Sequence, residues 1–226
     1  MCGRYALAFI QGFKTRFEVM DLLAEVEPRF NIAPTEEAPV VINEGIVRAV
    51  SMRWGLVPSW AKDMKIGNRL INARSESLST RPAFRAAFKR RRCLVPATGF
   101  YEWKASESGK VPYYVHLKDN SMFALAGLYE HWKPPEGQTI RTFTIVTTRS
   151  NELSVEIHNR MPVILRRKDE QKWISDGVLE DQDLERIFEP YPAGKMEYHE
   201  VSRDVNNARN EGEDLIAPVR AAHPNS

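Results

Sequence analysis

Cys2 follows the initiator methionine directly, with Arg4 two residues on. A side chain as small as cysteine lets Met1 be removed, which leaves an α-amine and a thiol on adjacent carbons. An internal cysteine cannot imitate this 1,2-aminothiol, because its nitrogen is held in a planar amide. The α-amine titrates at about 7.7–8.0, so part of it is neutral and nucleophilic near pH 7. Such a pair condenses with an aldehyde, first to a Schiff base and then to a five-membered thiazolidine. Alternatively the thiol attacks a carbonyl with the amine as its base. The competing reading is a small buried cysteine with no chemistry, the usual fate of a free thiol.

Three further stretches hold groups that could assist. In Ile71-Asn72-Ala73-Arg74-Ser75-Glu76 an extended backbone sends Asn72 and Arg74 to one face and Ile71 and Ala73 to the core. An arginine so placed, like Arg4, can grip a phosphate through two hydrogen bonds or form an ordinary surface ion pair. In Gly99-Phe100-Tyr101-Glu102-Trp103-Lys104 a carboxylate sits among aromatic residues. Poor solvation would raise its pKa toward the range used in general acid–base work, unless it pairs with Lys104 or an arginine. In Glu156-Ile157-His158-Asn159-Arg160-Met161-Pro162 the imidazole of His158 is a candidate proton shuttle or a structural histidine. His116, His131, His199 and His223 show no metal-ligand spacing with one another or with Cys2, so no metal is expected.

These stretches read as loops and strand ends, and the elements around them must do the positioning. Phe13, Phe17, Met20 and Leu23 or Ala24 follow helical spacing and predict a helix of about three turns. Asn31 to Thr35 reads as a loop. Val40–Ile42 and Ile46–Val50, joined through Gly45, predict a hairpin. Strands are expected at 71–73, 93–96, 111–117, 122–129, 142–147 and 163–165, with a turn at 118–121. Short helices are expected at 81–89, 150–156, 168–176 and 181–189. Many strands with few long helices predict an α+β domain with an antiparallel-rich, barrel-like core rather than a doubly wound parallel sheet. One domain over 1–220 with a disordered tail at 221–226 is expected, since no linker or repeat interrupts the chain.

Composition narrows the classes. With 32 basic and 30 acidic residues the formal charge is +2, so any polyanion site must come from local clustering. The run Lys89-Arg90-Arg91-Arg92 reads as a solvated face, and Cys93 after it as core. No apolar run approaches the roughly 20 residues of a membrane span. Two cysteines are too few for a disulfide framework, and a cytoplasmic, reducing location is expected. Trp54 and Trp60 bracket Gly55 and Pro58, and are either core anchors or a stacking platform for unpaired bases.

Taken in order, Met1-Cys2-Gly3-Arg4, Asn31-Ile32-Ala33-Pro34, Trp54-Gly55-Leu56-Val57-Pro58 and the three stretches above resemble the motifs of the SRAP proteins, named for SOS response-associated peptidase. Val201-Ser202-Arg203 with Val205-Asn206-Asn207 resembles the C-terminal motif, so the likeness spans about residues 2–219. It implies a β-barrel core with a basic groove for single-stranded DNA, and covalent capture of abasic sites without a cofactor. Carried over, it implies Cys2 as the crosslinking nucleophile and Asn72 as the residue orienting the amine or the sugar. It implies Glu102 as the acid–base carboxylate and His158 as the group assisting sugar ring opening. Arg4 and Arg74 would hold phosphates, and Trp60, Pro34 and Trp103 would wedge or stack against bases. Where the family often has a second aromatic after the residue at Trp60, this chain has Ala61-Lys62. A monomer that meets DNA in the nucleoid is the expected working form. The alternative reading is a cysteine-type peptidase or amidase using Cys2, and a third is a DNA-binding module in which Cys2 is incidental.

Overall fold

The computed structural model describes residues 2–107 and 109–219, so the tail expected to be disordered lies outside the described residues. Thirteen strands are described: β1 (Tyr5–Leu7), β2 (Asp21–Leu22), β3 (Arg29–Ile32), β4 (Glu37–Asn43), β5 (Val47–Trp54), β6 (Asn72–Arg74), β7 (Arg92–Ala97), β8 (Gly99–Ser106), β9 (Gly109–Leu117), β10 (Phe123–Trp132), β11 (Ile140–Arg149), β12 (Arg160–Pro162) and β13 (Met196–Glu200). The helices are short: α1 (Phe13–Arg16), α2 (Arg85–Arg90), α3 (Arg167–Ile174) and α4 (Asp181–Phe188). None is long and apolar enough to cross a membrane.

Strands β5, β4, β7, β10 and β11 pair in that order, and β11 returns to β5 through Thr142↔Arg53 and Phe143↔Trp54, which closes a five-stranded barrel. The closing pair is parallel; its other neighbours in the barrel are antiparallel. A second sheet, β13-β9-β8-β1-β3, lies alongside and is antiparallel throughout. One face of it, with Tyr5, Leu7 and Phe100, joins the barrel core. The other face, with Ala6, Tyr101 and Tyr114, is covered by Val201, Val205 and Leu215 from the C-terminal segment. The expected α+β, antiparallel-rich barrel is therefore what the chain forms.

Several local expectations differ. The first helix is four residues long rather than three turns. Phe13 and Phe17 are buried, but Glu18 takes a positive φ of 54° that ends the helix, and Met20 then donates its N–H to Val47 O. Asp21–Leu22 joins the edge of β5 instead, leaving Met20 and Leu23 exposed. Asn31 lies in a strand, β3, rather than a loop. Of 150–156 only Ser154–Glu156 is helical, as one 3-10 turn. The stretch 163–165 continues from β12 by single ladder bonds, Val163 N–H to Val146 O and Leu165 N–H to Ala124 O, both 2.9 Å.

The junction from β5 into the site depends on Gly55. Its φ is +120°, and a Cβ there would stand 2.7 Å from Gly67 O. Gly45, in the β4–β5 turn, has a φ of +86° but open space around it. Gly55→Ala is therefore expected to cost more than the roughly 1–3 kcal/mol of backbone strain alone, and Gly45→Ala only that strain. Urea unfolding midpoints of the two variants measure the difference; equal losses would mean that the Gly67 carbonyl yields freely.

Candidate active site

Cys2 is fully buried just ahead of β1, whose place is set by β8: Tyr5 pairs with Phe100, and Tyr101 N–H donates to Arg4 O at 2.9 Å. The Cys2 carbonyl accepts a hydrogen bond of 2.8 Å from the Asn72 side-chain amide. Asn72 heads β6, which lies parallel to β11 with Asn72 opposite Ile145. Trp54 anchors that segment, its indole N–H donating to Ile71 O at 2.9 Å. The Asn72 Oδ1 is buried and has no hydrogen-bond partner among the described residues.

Glu102 sits on β8, two residues after Phe100, and is 5% exposed. Alternation along the strand puts its side chain on the Phe100 face, while Tyr101 and Trp103 belong to the opposite face. Its burial therefore comes from the space between the two sheets, not from the aromatic neighbours that the motif suggests. That burial raises the carboxyl pKa above its ordinary value, partly offset by the positive charge of Lys110. Burial also pushes the Cys2 thiol up, and the Glu102 charge pushes it further, so the thiol stays protonated at neutral pH. The two groups are near enough to feel one another.

His158 follows the 3-10 turn at Ser154–Glu156, and its backbone N–H donates to Ser154 O at 2.9 Å. Its Nδ1 lies 3.0 Å from the Arg160 N–H, from which it can accept, and 3.3 Å from the Arg160 carbonyl oxygen, to which it can donate, according to the tautomer. Desolvation lowers its pKa, as do the nearby charges of Arg160 and Lys110, so the ring is held neutral. The segment is bolted to the rest by Arg160, which grips Glu76 through two bonds of 2.9 and 3.0 Å and donates to Thr147 O at 2.7 Å. One strand, β11, thus pairs with the segments of both Asn72 and His158.

The remaining sequence candidates divide. Arg74 is exposed at the end of β6, and Trp60 is 60% exposed whereas Trp54 is fully buried. Of the two tryptophans, one is a core anchor and one is available. Pro34 is half-buried in the turn after β3, beside Thr35, whose N–H donates to Trp54 O at 2.9 Å. Arg4 is half-buried, its Nη1 donating to Asn31 Oδ1 and Val205 O, each at 2.7 Å. Asn31 in turn donates to Asn207 O and Asn210 O, so these two residues clamp the C-terminal segment. Trp103 faces that segment too, its indole N–H on Asn206 Oδ1 at 2.7 Å. Cys2 and Cys93 are both free thiols.

Two participants escape the motif reading. Lys110 acts on both Glu102 and His158, and the strand register places it opposite Ala105 across the β8–β9 hairpin. The Ser-Gly pair at the hairpin turn was the available signal. The Glu76–Arg160 pair joins residues 84 positions apart, which no local pattern announces.

Comparison with known proteins identifies the family and the fold. A family model described as SOS response associated peptidase (SRAP) matches residues 1–208. An abasic site processing protein, YoqW of Bacillus subtilis, is 42% identical over 221 residues, covering 96% of this chain and 99% of that protein. The abasic site processing protein HMCES of Xenopus tropicalis is 30% identical, covering 85% of this chain and 67% of that protein. A crystal structure of a protein from Bacteroides thetaiotaomicron shares the fold, with a TM-score of 0.86 at 24% identity over 96% of this chain and all of that one. With its motifs, its barrel and its relatives in accord, the chain belongs to the SRAP family.

Proposed function

We propose that the chain processes abasic sites by capturing them, in single-stranded DNA, as a covalent adduct on Cys2. Removal of Met1 gives Cys2 its free amine. The amine nitrogen adds to the aldehyde carbon of the opened abasic sugar, and loss of one water leaves an imine. The thiol sulfur then adds to the carbon of the imine, which is still protonated on nitrogen, and passes its own proton to the Glu102 carboxylate, which closes the thiazolidine. One water leaves in total, and no oxidant, metal or cofactor is needed.

The chain's own residues supply the proton movements. Glu102, protonated more readily than an exposed carboxylate, delivers a proton to the departing hydroxyl. As a carboxylate it then takes the thiol proton. His158 moves a proton to and from the sugar oxygens during ring opening. Asn72 holds the Cys2 carbonyl and offers Oδ1 to the new amine. Arg74 and the outer edge of Arg4 meet phosphates, while Trp60 and Pro34 stack against or wedge between bases. Trp103, tied to Asn206, forms part of the rim.

The observation that carries this reading is the 2.8 Å bond from Asn72 to the Cys2 carbonyl, beside a buried carboxyl of raised pKa. The names of the curated relatives support the abasic lesion as target. Burial, which favours the protonated Cys2 thiol, supports an amine-first route. The test is intact mass after incubation with abasic single-stranded DNA. The expected species is protein lacking one methionine plus DNA minus one water. A methionine-free protein that forms no adduct removes the proposal, and peptide turnover lost in Cys2→Ala would put the peptidase in its place.

A further inference from the structure

The basic run before β7 is not one feature but three. Arg92 is buried and structural: its guanidinium donates to the carbonyls of Trp173, Phe88, Lys89, Ser175 and Gly177 at 2.5–3.1 Å. Arg91 is half-buried and pairs with Glu130 at 2.8 Å. Lys89 and Arg90 are exposed, and with Arg85 and Arg91 they line one concavity beside Ser79. Among the described residues no ion pair neutralises Arg85, Lys89 or Arg90.

Lys89 and Arg90 lie in the last turn of α2, where the negative end of a helix favours cations, but helix stability does not account for Arg85. Arg85 and Lys89 lie four apart on α2, and like charges so spaced repel along a helix face; Arg81 precedes the helix by four residues. Arg85 opens α2, whose first turn holds no acidic residue, although the positive end of a helix favours one. At the other end the carbonyls of Phe88 and Lys89 are already capped by Arg92. Arg85 and Lys89 stand one turn apart, about 6 Å along the axis. The backbone leads to them directly from the site: Arg74 ends β6, Arg81 N–H donates to Ser77 O at 3.0 Å, and Arg85 N–H donates to Arg81 O at 3.0 Å.

We propose that Arg85, Lys89 and Arg90 form a second phosphate-backbone contact that takes a single strand of DNA leaving the Cys2 site. It rests on the DNA-capture reading, and it adds a segment of the strand that the group around Cys2 does not reach. The contact is with phosphates only, so it is blind to sequence, and it lengthens the bound strand beyond the nucleotides at the lesion.

The test is non-covalent binding of an undamaged single-stranded oligonucleotide, longer than the roughly 4–16 nucleotides that one such site covers, across a salt series. At roughly 0.7 per phosphate contact, the Arg85→Gln/Lys89→Gln/Arg90→Gln protein is expected to lose about 2 from the slope of log affinity against log salt. Its affinity near 0.1 M salt is then expected to fall by about ten- to a hundredfold. The charge-keeping Arg85→Lys/Lys89→Arg/Arg90→Lys protein should retain the slope. If the triple glutamine protein does not fold, Arg85→Gln and Lys89→Gln singly should each lower it by about 0.7. A slope unchanged in the glutamine variants overturns the inference. Adduct formation by the unaltered, methionine-free protein, measured alongside, separates the two claims: an adduct with an unchanged slope removes only this contact, and no adduct removes the reading beneath it.

Discussion

Replacing Cys2 with alanine is expected to abolish the denaturation-resistant adduct with abasic single-stranded DNA while leaving non-covalent binding of the strand in place. The change deletes the only atom that can close the ring. The alanine protein keeps its amine, and an amine alone gives an imine, which water reverses. Cys2 is fully buried, so the substitution leaves a small void, with a stability cost of about 1 kcal/mol. Denaturing gels and intact mass read the adduct, and thermal melting verifies that the fold survives. An alanine protein that still yields a heat-stable species would assign the bond to another group.

Glu102→Gln carries the second large effect, and it acts in opposite directions on rate and stability. Loss of a positioned acid–base group is expected to slow adduct formation by about 10²–10⁴. In the unaltered protein the protonated form of Glu102 is depleted as pH rises through its raised pKa, so the step that needs an acid slows there. The glutamine protein should lack that limb of the pH profile. Stability moves the other way. A carboxyl whose folded pKa is raised contributes fully below its unfolded pKa, and that contribution is lost as pH rises through the folded value. Glutamine has no charge to desolvate, so Glu102→Gln should melt higher than the unaltered protein at pH 7 and gain nothing at pH 3. A variant that is both slow and less stable at pH 7 would mean that Glu102 is held mainly by attractive partners.

The strand that carries Glu102 explains what the sequence does and does not disclose. Phe100, Tyr101, Glu102 and Trp103 lack the alternation of a half-exposed strand because β8 is covered on both faces, by the barrel core and by the C-terminal segment. A strand covered twice loses its period of two, so the stretch reads as a loop although its chemistry is plain. The hairpin of β4 and β5 is legible through its local turn at 43–47, although β4 begins earlier, at Glu37, and β5 runs on to Trp54. Phe13 to Ala24 fails for the opposite reason, since its helical spacing is overruled by pairing with β5. The parallel closure of β11 onto β5 and the Glu76–Arg160 pair have no local signature, being agreements between distant parts of the chain. Residue types at the site were legible; the distances that make them a site were not.

The register of Cys2 also fixes an order of events during synthesis. The strand it precedes pairs with Phe100, its carbonyl is held by Asn72, and the segment bearing His158 is placed by β11. Contacts of such wide separation close late, after most of the chain exists. While the ribosome is still making the first hundred residues, the Met1–Cys2 bond has no partner strand to cover it. The trimming of the methionine that the proposed capture requires is therefore expected on the nascent chain, before folding encloses Cys2. Protein refolded from an untrimmed preparation should retain its methionine and remain inert, however well it folds.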